Sequence, residues 1–258
     1  MIAYIRELYE YRHLIFYLAW GQIKGGERDR WFGRLWNILD PLALLVIYYF
    51  VFNIAFQSRK ENFEVFLFTG IIAFRFFSTT VKSNAMSVFR NRTLALQAYF
   101  PKAILSVAYI LAYLHDFIFG TIVLWLLALF RGIDFTPFLL LWPLIMLVQI
   151  TFVLGISLLA THVGVYFRDI ENILTLLFRF LFYFSGVMYD LSRIPEKYHE
   201  IFNLNPLFVL FQSYRAVLIY GKHPAYLHLA VIFALSLGLI GVGLYIVRKN
   251  EGGYLKVL

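Results

Sequence analysis

From Phe135 to Phe167 the chain carries no Asp, Glu, Lys or Arg, and from His223 to Val247 it carries none either. A helix needs roughly 20 apolar residues to cross a hydrocarbon layer about 30 Å thick, and both runs exceed that. In lipid every backbone N–H and C=O must be satisfied within the protein, which a helix does inside a single segment. The chain therefore reads as an all-α, polytopic membrane protein. Composition agrees: 61% of its 258 residues are hydrophobic and 15% charged, where a soluble domain carries about a quarter charged residues. The length leaves no room for a second, soluble domain beside the helices.

Hydrophobic patterning predicts six spans, at about 37–57, 63–84, 103–130, 136–165, 171–189 and 225–247. Before them, residues 1–35 form a lead-in whose first 24 residues read as an amphipathic interfacial helix. Ile5, Leu8, Ile15, Phe16, Ala19 and Ile23 share one face, and Arg6, Glu10, His13 and Lys24 share the other. Between spans 5 and 6, residues 190–222 mix Pro195, Pro206 and charges with two apolar pieces, each shorter than a span. That pattern predicts short re-entrant or interfacial helices.

Basic residues orient the spans. With the N-terminus in the cytoplasm, fourteen Lys and Arg fall in inner segments and seven in outer ones. Cytoplasmic loops collect such residues, so both termini are expected inside, in the plasma (inner) membrane. The net charge of +8 is then a matter of topology, not of nucleic-acid binding.

Three charges fall within spans: Arg75, Asp116 and Arg179. Each costs roughly 2.5–3.5 kcal/mol at the bilayer centre on insertion scales, so each needs a partner, water or a role. Asp116 beside His115 fits a proton relay or a structural ion pair, and either arginine could be its partner or attract an anionic substrate. Aromatic residues make up 20% of the chain. Tyr48, Phe52, Phe180 and Tyr183 are candidates for lining a glycan channel, beside the plainer reading of packing and lipid-facing belts. Cysteine is absent, which excludes disulfides and Cys-based metal sites. No G-x-x-x-x-G-K-[ST] loop occurs, so this chain has no ATP site of the usual kind. No H-E-x-x-H and no aspartate-rich Mg²⁺ motif occurs either, so neither an enzyme nor a metal site is expected.

One interruption stands out. "MSVFRNRTLALQAYFPKAIL", Met86 to Leu105, is a basic, amphipathic stretch set between spans 2 and 3. A second inner loop, "VGVYFRDIENIL", places Arg168, Asp169 and Glu171 between spans 4 and 5. Read in order, "FGRLWNILDPL", "LFTGIIAFRFFS", "QAYFPKAILSVAYILAYLHDF", "VGVYFRDIENIL" and "LNPLFVLFQSYRAVL" resemble the successive motifs of ABC-2 permeases that export polysaccharides. The likeness covers nearly the whole chain. "RFLFYFSGVMYDL" and "QSYRAVLIYG" lean towards the wall teichoic acid permease, with O-antigen permeases as relatives. Gly186 departs from the pattern where a Pro often stands, and Arg75 where an uncharged residue is common.

The resemblance implies one ABC-2 transmembrane domain over 1–258, acting as a homodimer with two copies of a separate P-loop ATPase that holds ATP and Mg²⁺. Residues 86–101 would be the coupling helix. Val88, Leu94, Leu96 and Tyr99 would press into the ATPase, Arg90 and Arg92 would meet its acidic rim, and Arg168, Asp169 and Glu171 would complete the inner surface. Arg28, Arg30 and Arg34 would attract the diphosphate of a lipid-linked polymer, most simply undecaprenyl-diphosphate-linked wall teichoic acid. O-antigen or another polysaccharide is the alternative cargo. A drug or lipid exporter of the same fold and a proton-coupled secondary transporter using Asp116 are further readings.

Overall fold

A computed structural model describes residues 2–25, 35–51, 61–97, 99–167 and 169–257. Among them the chain is helical throughout: α1 (Ile2–Glu10), α2 (Arg12–Gly25), α3 (Leu35–Tyr49), α4 (Phe63–Ala85), α5 (Ser87–Arg90), α6 (Arg92–Gln97), α7 (Ala103–Phe130), α8 (Trp142–Tyr166), α9 (Ile170–Phe184), α10 (His199–Asn203), α11 (Pro206–Leu218) and α12 (Tyr226–Val257). Single 3-10 turns fill Pro137–Leu141, Leu191–Arg193 and Glu196–Tyr198. Four of these helices are long and apolar enough to cross a membrane: α4, α7, α8 with the turn before it, and α12. At about 1.5 Å per residue, the 28 residues of α7 reach about 42 Å.

The fifth expected span is shorter than its apolar run suggests. α9 has 15 residues and stops at Phe184, about 22 Å at the same rise. Ser185 ends the helix, and Gly186 follows with φ +64°, a conformation that glycine adopts without steric cost. α3 is of the same length, and 52–57, the end of the predicted first span, lies outside the described residues.

α4 is the hub. It packs against α3, α7, α8, α9 and α11, and its buried face includes Phe66, Phe68, Phe76, Phe77 and Val81. Among helices that are apolar all round, small residues decide where two axes can approach. A Cβ on Gly164 of α8 would overlap the Ala85 carbonyl of α4. α8 also runs against α12, where a Cβ on Gly155 would lie 2.7 Å from Leu239 and one on Gly243 2.7 Å from Leu158.

Buried polar side chains lock these contacts. Gln149 Nε2 donates to Ala73 O at 2.8 Å, and its Oε1 accepts from the Tyr214 hydroxyl at 2.9 Å, joining α8, α4 and α11. Thr161 of α8 donates to Asn84 O of α4 at 3.1 Å and meets Ser106 of α7 at 3.0 Å. At the ends of α4 and α7 farthest from the α5–α6 hairpin, Arg131 pairs with Glu64.

The lead-in is two helices, broken at Tyr11, not one. Tyr4, Ile15 and Ala19 are its buried residues among those described, whereas Phe16, expected on the same face, is exposed. Ile15 and Ala19, four apart, form the stripe that α2 lays on α7. Gln22 Nε2 donates to the Tyr109 hydroxyl of α7 at 3.1 Å, fixing its far end.

Candidate functional site

The stretch between α4 and α7 folds as two short helices with a turn at Asn91. Asn91 makes the turn: its amide donates to Ser87 O at 2.7 Å and to the Tyr109 hydroxyl at 3.4 Å. Val88, Ala95 and Phe100 point into the protein's own core. Val88 is wholly buried, so it anchors the hairpin from within and offers no surface to a partner. Arg92, Thr93, Leu96, Gln97 and Tyr99 are the exposed side, with Leu94 half-buried against the core.

The hairpin is tied to three other elements. Glu171, at the start of α9, takes Arg90 at 3.4 Å and Lys82 of α4 at 3.8 Å. The two loops, between α4 and α7 and between α8 and α9, thus meet through one carboxylate. Asp169 precedes α9 without a side-chain capping bond, and Arg168 lies outside the described residues. At the hairpin's exit, Glu251 of α12 accepts from the Lys102 backbone N–H at 3.1 Å and from the Tyr4 hydroxyl at 3.0 Å. Glu251 therefore joins α12, α1 and the start of α7. Lys102 itself is buried, its Nζ 3.4 Å from Ala95 O and over the Phe100 ring at 3.9 Å. Burial lowers its pKa from 10.5, against the raising effect of Glu251. Burial, with Glu251 beside it, raises that of Tyr4.

A second site lies between α3, α4 and α9. Leu44, Tyr48, Phe74, Thr175, Phe178, Arg179, Phe182 and Tyr183 line an open groove of about 250 Å³. Tyr48 stacks on Phe182 at 5.8 Å, Phe74 meets Phe182 edge-on at 5.1 Å, and Tyr183 packs edge-on against Phe182 at 5.6 Å. Arg179 is the cation among these rings. Two of the expected channel aromatics, Tyr48 and Tyr183, come together here. Phe180 is exposed and outside the groove lining, and Phe52 lies outside the described residues. On either side of the groove, α9 exposes Ile173, Leu176, Leu177 and Phe184, and α3 exposes Val46 and Ile47.

The charges within spans are placed separately. Arg75 pairs with Asp40 of α3 at 3.4 Å; Asp40 was not among the expected partners. Asp116 lies 3.4 Å from His115 Nδ1. Arg75 and Asp116 still face one small, partly open cavity of about 50 Å³, with Thr79 and Tyr113 on its wall. That volume takes a few waters at most. Arg179 is not on this cavity's lining.

The residue that sequence reasoning placed worst is Arg215. It belongs to the 190–222 segment between the predicted spans 5 and 6, whose charges count as outer, yet it is fully buried in α11. Its guanidinium donates to the carbonyls of Phe66 at 3.2 Å, Gly186 at 2.8 Å and Val187 at 2.7 Å, and lies 3.5 Å over the Phe66 ring. Gly70 leaves it room, since a Cβ there would sit 2.7 Å from Nη2. α11 begins as its sequence suggests, with Pro206 at the first position and Asn205 accepting from Leu207 N at 3.0 Å. Arg28, Arg30 and Arg34 lie outside the described residues.

The profile of the ABC-2 type transporter family matches residues 13–219, which is most of the chain. This chain belongs to the ABC-2 type transporter family. It is similar to the O-antigen export system permease protein RfbA of Myxococcus xanthus, at 29% identity over 93% of each chain. It is 27% identical to the RfbA protein of Klebsiella pneumoniae, over 88% of this chain and 87% of that one. The polysialic acid transport protein KpsM of Escherichia coli is 26% identical, over 84% of this chain and 86% of that one. As an ABC-2 transporter chain it is a multi-pass membrane protein, in keeping with the four helices long and apolar enough to span among the described residues.

Proposed function

We propose that this chain is the permease subunit of an ATP-driven exporter of a cell-surface polysaccharide. The observation that carries this reading is the α5–α6 hairpin. Its inner side is spent on the core, while Arg92, Leu96 and Tyr99 are presented outward. It is braced by Glu171 and Glu251. A rigid, basic, partly apolar knob held against α9 and α12 suits docking into a partner and transmitting its movement. The partner is a P-loop ATPase that supplies the ATP and Mg²⁺ site. Its acidic rim meets Arg92, and its groove takes Leu96 and Tyr99.

Two copies of this chain pair through the exposed faces of α3 and α9, each with one ATPase. The α3–α9 groove then lies along the shared path. Its aromatic rings pack on sugar faces, and Arg179 supplies a charge-assisted contact to acidic groups. Arg28, Arg30 and Arg34 collect the diphosphate of the lipid carrier at the inner surface, with both termini on that side. The names of the relatives favour O-antigen or a related polysaccharide as cargo. Wall teichoic acid is the second reading, favoured by "RFLFYFSGVMYDL" and "QSYRAVLIYG".

The test begins with purification in mild detergent. The wild-type chain should retain a P-loop ATPase at one copy per copy, and the double variant Leu96→Glu, Tyr99→Ala should lose it while folding normally. A chain that purifies alone and moves solute under a proton gradient would overturn the proposal. In the reconstituted complex, lipid-linked O-antigen and lipid-linked teichoic acid are compared for stimulation of ATP hydrolysis, which separates the two cargoes.

A further inference from the structure

A third cavity takes no part in the sites above. It measures about 490 Å³ and lies between the 190–192 turn, α10, α11 and the start of α12. The chain path places it at the end of the molecule opposite the hairpin. α4 and α8 both run towards the hairpin side, and Gly186 to Ala225 follows the return of α9. The volume falls within the range of small-molecule sites, roughly 300–1,000 Å³.

Its lining mixes two kinds of surface. Phe208, Val209 and Ala216 form apolar wall, while Asn203, Gln212, Lys222 and His228 bring polar groups to the same space. Among the described residues none of these four side chains makes a hydrogen bond or ion pair within the protein, Asn203 and Gln212 being half-buried and Lys222 and His228 exposed. Asn and Gln offer both donors and an acceptor, histidine one of each, and lysine three donors. The one carboxylate, Asp190, balances the one permanent cation, Lys222. Asp190 already accepts the Ser192 N–H at 3.0 Å. A balanced set of donors and acceptors against an apolar wall suits a ligand with hydroxyl edges and C–H faces. It suits an anion poorly, because the carboxylate opposes it.

We infer that this cavity is a carbohydrate subsite on the far face, taking one or two sugar units of the emerging glycan. The inference rests on the polysaccharide reading above. It is distinct from the α3–α9 groove, with which it shares no lining residue.

The probe is the repeat-unit oligosaccharide released by mild acid from the producing cell's surface polymer. It is titrated by saturation-transfer NMR and calorimetry against the full complex in lipid nanodiscs. Gln212→Leu and Lys222→Met each remove an unpartnered group and should leave the fold intact. Each should raise Kd about tenfold, the scale of one lost hydrogen bond or slightly more. Ala216→Trp fills the cavity and should abolish binding there. Unchanged Kd in all three variants would overturn the inference. So would displacement of the oligosaccharide by phosphatidylglycerol with loss of lipid binding in Lys222→Met, which would make the cavity a lipid site. If wild type binds no oligosaccharide while the complex still exports glycan, the subsite falls and the transport reading stands. If neither binding nor glycan export is seen, the polysaccharide reading falls with it.

Discussion

Arg215 shows how much one buried side chain organises. Three backbone carbonyls, from α4 and from the turn after α9, converge on its fork, and a planar guanidinium is the group able to hold three at once. Arg215→Met leaves them unpaired at full burial and should destabilise by roughly 3 kcal/mol or more. Arg215→Lys should recover only part of this. Thermal unfolding in detergent, followed by intrinsic fluorescence, reads both. Gly164 sets the α4–α8 crossing, so Gly164→Ala should cost about 1–3 kcal/mol through overpacking and lower the same midpoint. Lys102 behaves differently. Its pKa is depressed by burial, so the folded chain holds fewer protons than the unfolded one in the window below 10.5. Stability should therefore rise with pH as that window is crossed. Lys102→Met should flatten this slope in the window below 10.5 and leave the protein no less stable, since a buried charge is replaced by an apolar chain of similar volume.

At the scale of elements, the tie between the hairpin and α9 is the feature to test. Arg90, Lys82 and Glu171 are each more than a third exposed at the side chain, so the pairs contribute about 0–1 kcal/mol to stability. Their value is geometric, fixing the hairpin against the helix that borders the groove. Glu171→Lys should leave the melting midpoint within a degree or two yet reduce substrate-stimulated ATP hydrolysis in the complex. Glu171→Arg combined with Arg90→Glu should restore it. Equal loss in basal and stimulated rates would assign the pair to assembly instead. Element limits were legible where charge or proline marks them. α7 begins and ends where the apolar run does, between Lys102 and Arg131. α9 was read five residues too long because Val187 and Met188 continue the apolar pattern. The helix ends because Gly186 turns to positive φ and its carbonyl and that of Val187 are held by Arg215, 29 and 28 residues away.

For the whole molecule, the arrangement separates a transmitting end from a far end. α1, the end of α12 and the start of α7, where the hairpin ends, are bound together through Tyr4, Glu251 and the Lys102 backbone. A push on the hairpin should therefore reach α12 and α8 as well as α4 and α7. Glu251→Leu removes the shared acceptor and should uncouple the N-terminal helices. Hydrogen exchange in α1 should rise severalfold, with exchange in α4 unchanged.

The sequence alone determined the class of fold, because uncharged runs longer than a bilayer is thick admit helices and little else. Its ordered motifs also pointed to the family that the comparisons then showed. What it left open was every pairing across space. Asp40 rather than Asp116 pairs with Arg75. Val88 turns inward, Glu171 gathers two distant cations, and Arg215 lies in the core. Helical periodicity tells which residues share a face but not which helix will cover it. In a chain apolar on nearly every face, that choice is made by close packing at small residues and by the few polar groups that must find one another.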